Sequence, residues 1–121
     1  MSQPNFFDDV LLKKALEIEK ASTGVRFDQG KARYDLLPPD SLEELVKVYT
    51  KGAEKYADRN WEKGMDWHRV FGSLMRHAWR FWRGEDYDEE TGCHHMAMVA
   101  WNALALCSYS LRKVGLDDRP H

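Results

Sequence analysis

A chain of 121 residues and 14.2 kDa fits one compact domain and leaves no room for two of ordinary size. Its 43% hydrophobic and 31% charged residues are the balance of a soluble globular protein, which excludes a disordered tail, a collagen-like repeat and a disulfide-built miniprotein. Lysine plus arginine is 18 and aspartate plus glutamate is 20, for a formal net charge of −2, so the basic excess that grips long nucleic acid is missing, although a local cluster of cations would still suit a small phosphorylated ligand.

The elements predicted in chain order are helical. The opening stretch MSQPNFFDDVLLKK has no basic region followed by an apolar run, and so does not read as a signal peptide. A first helix is expected over 8–21, with Asp8 or Asp9 as its cap and Val10, Leu11, Leu16 and Ile18 on a partly apolar face. Residues 23–39 (TGVRFDQGKARYDLLPP) hold two glycines and a Pro-Pro pair, the signature of an extended loop, and carry Arg26, Lys31 and Arg33 beside Asp28 and Asp35. Asp40 stands where an N-cap would, with Glu43 three residues on, and opens a second helix over 40–56 whose Leu42, Leu45, Val46, Tyr49, Ala53 and Tyr56 predict a buried stripe. A polar loop with two tryptophans, DRNWEKGMDW, leads to a third helix over 68–83, with Phe71, Leu74, Met75, Ala78, Phe81 and Trp82 on one face. Gly84 opens the acidic run GEDYDEETG, and a fourth helix is expected over 91–114.

That last helix is apolar nearly all round between Met96 and Leu106, yet too short to span a bilayer and interrupted by Asn102. It is more apolar than one small domain can cover, which predicts a homodimer or homotetramer with site residues from more than one chain. The expected fold is therefore all-α, an oligomeric four-helix bundle: one domain over 1–121, made of an N-terminal helix (1–22), a basic loop (23–39), three core helices (40–114) and a tail (115–121). Cys93 and Cys107 lie fourteen residues apart in one helical segment, too far to bond to each other, and read as reduced core thiols of a cytoplasmic protein.

Three constellations could carry chemistry. If the third helix continued past Gly84, Glu85 and Asp88 would share its inner face with His77 at the edge, and two hard oxygen ligands one turn apart suit Mg²⁺ or Mn²⁺. The plainer reading is a solvated acidic loop. His95 and Asn102, seven residues apart in an apolar stripe, are either satisfied core residues that set helix register or, for His95, a group facing those carboxylates. Lys31, Arg33, Lys55, Arg76 and the Arg59-Asn60-Trp61 loop could hold phosphates and stack a base, though each by itself reads as a surface residue. Walker and G-x-G-x-x-G loops are absent, the acidic run fails the spacing of a calcium loop, and the contiguous Cys93, His94 and His95 are poorly spaced for zinc.

Two longer stretches, GKARYDLLPPDSLEELVKVYTKGAEKYADRNWEKG and RHAWRFWRGEDYDEETGCHHMAMVAWNALAL, resemble the mostly phage-encoded dATP/dGTP diphosphohydrolase N-terminal domain family, related to the MazG-like all-α nucleotide pyrophosphohydrolases. The resemblance covers about residues 30–106 and rests on GAEKY, NWEKG, RH, GE-x-x-D and TG-x-x-H taken together. It implies a MazG-like bundle and Mg²⁺- or Mn²⁺-dependent cleavage of a purine (deoxy)nucleoside triphosphate to monophosphate and pyrophosphate, in the host cytoplasm if phage-encoded. Glu85, Asp88, His95 and His77 then match catalytic positions. Lys31, Arg33, Lys55, Asn60, Trp61 and Arg76 match substrate contacts, with Trp61 or Trp82 over the base. One departure is plain: the wider pattern has an E-x-x-E on the preceding helix, and here only Glu43, Glu44 and Glu54 stand there, so the metal set of Glu85 and Asp88 is either incomplete or built with histidine or with a glutamate from elsewhere, Glu44 and Glu54 being the candidates. That departure keeps open a second reading, a protein that sequesters a nucleotide without cleaving it. A third is a purely structural oligomer.

Overall fold

The computed structural model describes residues 6–121; residues 1–5 of the predicted N-terminal segment lie outside the described residues. The chain divides into two compact units, one ending at Leu36 and one running from Leu37 to His121. The first contains helix α1 (Phe6–Lys20), whose first turn carries Asp8 and Asp9 and whose last turn carries Lys20, charges that complement the helix dipole. An irregular stretch follows to a short 3-10 turn at Tyr34–Leu36. Within this unit the Lys14 ammonium lies 4.9 Å from the centre of the Phe27 ring, and Arg33 clasps Asp35 through two hydrogen bonds of 2.8 and 2.7 Å.

The second unit holds α2 (Pro39–Lys55), a 3-10 turn (Asn60–Lys63), α3 (Trp67–Trp82) and α4 (His95–Arg112). Helix α4 is the axis of the unit: α3 packs along it most extensively, and α2 and the 3-10 turn pack on it as well. The apolar character read in α4 is what lets it take neighbours on several sides. Trp67, Val70, Ala105 and Tyr109 form the buried centre, with Trp61, Met65, Trp101, Leu106 and Val114 against it. Among the described residues there is no strand, only isolated bridges between Asp66 and Leu116 and between Tyr87 and His94.

Among the described residues four helices stand where helical periodicity placed them, and their ends differ in instructive ways. Helix α2 starts at Pro39, after Pro38, with no side-chain cap; Asp40 lies inside the first turn and its carboxylate accepts the Ser41 N–H at 2.8 Å. Proline at the first helical position has a pre-set φ and no N–H to satisfy, so the expected Asp40 cap is not needed. Helix α4 starts at His95 rather than residue 91. The His94 ring accepts the Met96 N–H at 3.1 Å, and the Tyr87–His94 bridge holds the preceding residues in a loop. The α2 stripe, expected to be buried, is only partly covered. Val46 is 60% and Tyr56 63% exposed, because α2 has α4 alone as its extensive helical neighbour. Phe71 on α3 is also exposed, and so is Cys107 on α4, which corrects its reading as a core thiol; Cys93 is buried.

The predicted tail is part of the fold. Trp67 donates its backbone N–H to the Leu116 carbonyl and its indole N–H to the Val114 carbonyl, each at 3.0 Å. Asp118 accepts the His68 backbone N–H at 2.9 Å and also pairs with the His68 ring, while the Arg119 guanidinium lies 4.8 Å from the Trp67 ring centre. The turn at Gly115 has φ +78°, and a Cβ there would run into the Met65 carbonyl oxygen, so glycine alone fits.

Candidate active site

Helix α3 stops at Trp82 because Gly84 adopts φ +104°, and the chain turns back instead of extending the helix. The acidic run that follows is not a solvated loop throughout. The Asp88 N–H donates to the Cys93 carbonyl at 2.8 Å, the Gly92 N–H to the Asp88 carbonyl at 2.7 Å, and the His95 N–H to the Asp86 carbonyl at 2.8 Å. These bonds fold residues 86–95 into a compact turn that carries Asp88 inward, where it is only 5% exposed. A buried carboxylate needs donors. Asp88 Oδ2 accepts the Thr91 backbone N–H at 3.0 Å and its hydroxyl at 2.8 Å, and Oδ1 faces Arg80 Nη1 at 3.4 Å.

Two histidines complete the cluster. His95, the first residue of α4, is 1% exposed, and its Nδ1 lies 2.9 Å from Nδ1 of His77 on α3, one ring donating and the other accepting. His77, Asp88 and His95 each offer a ligand atom, all within 4.8 Å of one another. Burial, and then the neighbouring His95, push the His77 imidazole below its ordinary value against the pull of Asp88; Arg80 and Arg76 act the same way as burial. For Asp88 burial acts upward, but the Thr91 hydroxyl and N–H and the two histidines outweigh it and hold the carboxyl below its usual range. Charged carboxylate beside neutral imidazole is the form of such a trio that can bind a cation.

The other residues singled out by motif and spacing sit elsewhere, and one expectation about geometry fails. Glu85 and Asp88 do not share a helical face. Glu85 follows the glycine, its N–H donates to the Arg80 carbonyl at 3.1 Å, and its side chain is 55% exposed with Arg83 Nη2 3.9 Å away. Glu44 pairs with Lys47 at 2.8 Å and Glu54 is exposed; both lie on α2. Among the described residues neither of these nor Glu85 joins a trio of close ligand atoms. Arg76 is exposed beside His77, and the Lys55 ammonium lies 5.1 Å from the ring centre of its neighbour Tyr56. Asn60 and Trp61 open the 3-10 turn. Trp61 belongs to an aromatic cluster, with ring centres 6.2 Å from Tyr49, 6.3 Å from Trp101 and 6.1 Å from Tyr109, and its carbonyl accepts the Tyr109 hydroxyl at 2.5 Å. Trp82 is the open ring, 78% exposed. Lys31 and Arg33 belong to the first unit. Asn102 takes the register role: its Nδ2 donates to the Met98 carbonyl at 2.8 Å and reaches Ser73 Oγ on α3 at 3.4 Å.

Sequence reasoning missed Arg80, Thr91 and His94. The signal for Thr91 was the threonine three residues after an aspartate, a spacing at which the hydroxyl and N–H of one residue can meet the carboxylate of the other. A second trio of ligand atoms, Asp66, His68 and Asp118, lies where the tail meets the start of α3.

Comparison with known proteins places the chain in a family. The chain is 40% identical over 97 residues to a protein of Salmonella phage PMBT28 named dATP/dGTP diphosphohydrolase, a match covering 80% of this chain and 33% of that protein, so the chain spans about a third of the length of that relative. No solved structure matches it. The family model described as dATP/dGTP diphosphohydrolase, N-terminal, matches residues 21–119, which include α2, α3, α4 and the whole His77–Asp88–His95 cluster, and the chain therefore belongs to that family.

Proposed function

We propose that the chain hydrolyses a purine deoxynucleoside triphosphate, dATP or dGTP, to the monophosphate and pyrophosphate with the help of a divalent cation. The observation that carries the reading is the His77–Asp88–His95 cluster, with Asp88 and His95 buried and His77 half-buried, lying inside the segment that matches a family of that name. A carboxylate held ionised beside two imidazoles is a ready set of donors for a cation.

The triphosphate arrives with about four negative charges, about half of them offset by its own magnesium ion, and the reaction adds charge to the bridging oxygen between the α and β phosphates. His77, Asp88 and His95 would hold the cation, which would supply Lewis-acid activation of a water nucleophile. This chain's residues do the rest. Thr91 and Arg80 fix the Asp88 carboxylate so that no reorganisation is needed during turnover. Arg76 and Lys55, both exposed cations of this unit, stabilise the departing pyrophosphate. Glu85 offers a solvated carboxylate to the substrate's magnesium, and Trp82 offers an open ring to the base. The same reading makes the protein a homodimer or homotetramer, since Val46, Phe71 and Leu104 on three different helices are each more than 40% exposed.

The test is a panel of nucleoside triphosphates with Mg²⁺ or Mn²⁺, following monophosphate and pyrophosphate. Equimolar release of the two from dATP or dGTP is expected. Tight nucleotide binding with no product under either metal would replace hydrolysis by sequestration, which the missing E-x-x-E on α2 favours. Neither binding nor cleavage would end both readings.

A further inference from the structure

We propose that His77, Asp88 and His95 form a resident site for a first-row transition ion, Mn²⁺ being the natural occupant, and that Mg²⁺ does not bind there. The inference deepens the hydrolase reading by naming the class of metal that the same cluster takes, and it is tested without any nucleotide.

The donor set points to the class of metal. Two imidazole nitrogens and one carboxylate oxygen converge within 4.8 Å. Mg²⁺ takes oxygen ligands almost without exception and keeps several of its waters, whereas imidazole nitrogen suits the transition ions, and Mn²⁺ accepts carboxylate as readily as Mg²⁺ does. A site built for magnesium would have used carboxylates in place of the histidines, and the exposed Glu85, Glu89 and Glu90 nearby in sequence show that acidic residues were to hand.

The spacing of the nitrogens agrees. The Nδ1 atoms of His77 and His95 are 2.9 Å apart. Two nitrogens each about 2.1 Å from a metal and at right angles to one another are separated by about 3.0 Å, whereas a tetrahedral angle would spread them to about 3.4 Å. The 2.9 Å separation is that of an N–H···N hydrogen bond in the metal-free chain, and it lies close to the spacing that two nitrogens take at neighbouring corners of an octahedron. Loading exchanges one N–H···N hydrogen bond for two metal–nitrogen bonds, with the bridging proton moving to the outer Nε2 of the ring that held it.

The surroundings leave lone pairs for a cation. Both Thr91 donors are spent on Asp88 Oδ2, and Oδ1 has only the long 3.4 Å approach of Arg80, so one carboxylate oxygen keeps lone pairs for a metal. Thr91 is the outer partner that fixes the carboxylate's direction, as metal-ligating carboxylates require. Helix α3, the 86–95 turn and the first residue of α4 each bring one ligand, and with His95 1% and Asp88 5% exposed these two are set by the fold before any ion arrives.

The experiment uses the full chain stripped of metal and no nucleotide. Titration with Mn²⁺, followed by calorimetry and by electron paramagnetic resonance, should show one ion per chain, and pulsed measurements on the wild type should show hyperfine coupling to imidazole nitrogen. Mg²⁺ in large excess should leave that signal in place. His77→Ala should weaken Mn²⁺ binding by more than about 100-fold, beyond the loss typical of an outer partner. Asp118→Asn, which disables the Asp66–His68–Asp118 trio instead, should leave it unchanged. The wild-type hyperfine measurement needs no variant, so a misfolded His77→Ala protein cannot rescue the idea. Absence of Mn²⁺ binding, binding without nitrogen coupling, ready displacement by Mg²⁺, or loss of the site in Asp118→Asn would each overturn it. Nitrogen-ligated Mn²⁺ in a protein that cleaves no nucleotide would leave this inference standing and remove the hydrolase reading; pyrophosphate release with Mg²⁺ and no nitrogen coupling would do the reverse.

Discussion

Thr91→Val is the sharpest probe of how the site is held. Valine is close to threonine in shape, so little packing changes, but the hydroxyl serves two partners at once: it donates to Asp88 Oδ2 at 2.8 Å and accepts the Cys93 N–H at 3.2 Å. A hydrogen bond to a charged acceptor is worth about 1.5–3 kcal/mol, and a buried N–H left without an acceptor costs about 1–3 kcal/mol. The Thr91 backbone N–H still reaches Asp88 in the variant, and the two losses share one turn, so they will not add in full. The expected destabilisation is about 2–4 kcal/mol, or about 8–16 °C in Tm at roughly 4 °C per kcal/mol for a chain of this length. It should depend on pH with a definite sign. The Asp88 carboxyl is held below its ordinary value, so its contribution to stability is present above the unfolded value of 3.8 and is lost as pH falls through the folded one. Losing the hydroxyl shrinks that contribution, and the gap between wild type and variant should therefore narrow in acid. Urea unfolding of metal-free protein, near neutral pH and below about pH 3.5, reads both effects. A loss under about 0.5 kcal/mol near neutrality, within the range of an ordinary surface change, would refute the account of Asp88 as a carboxylate anchored by Thr91.

Three further outcomes are expected. The His77 imidazole is depressed by burial and by His95, so the unfolded chain takes up its proton first as pH drops below 6.5; stability should fall through that window, and His77→Gln should flatten the fall in urea midpoints measured between about pH 7.5 and about pH 5. An equal fall in wild type and variant would contradict it. Gly115→Ala should destabilise by at least about 2 kcal/mol, since the residue has φ +78° and a Cβ would strike the Met65 carbonyl, and an unchanged thermal midpoint would mean that the tail does not dock on α3 as described. Glu85→Gln should leave the unfolding midpoint within about 0.5 kcal/mol of wild type, its side chain being exposed, while pyrophosphate release drops at least tenfold; unaltered turnover would remove Glu85 from the substrate site.

The sequence by itself determined the number of helices and their approximate extents. Each core helix carries a 3- and 4-residue apolar period that no strand can use, and glycines and prolines punctuate the gaps between them. It also picked out His77, Asp88 and His95, partly through their place in motifs of the family. It could not say that these three meet. They lie on α3, in a turn and at the first residue of α4, and their approach depends on Gly84 taking a positive φ, which ends α3 before Glu85 and turns the acidic run inward. Placing Glu85 and Asp88 on one helical face assumes the opposite choice at that one glycine, and both choices are open to glycine locally. The same limit applied to Trp61 and Trp82, equally aromatic in the sequence. Only packing against Tyr49, Trp101 and Tyr109 put the first into the core and left the second 78% exposed. Periodicity is a local property of the chain and survives any tertiary arrangement; which polar side chain is buried and which of its neighbours satisfies it is decided by contacts distant in sequence, and those exist only once α3 and α4 have packed.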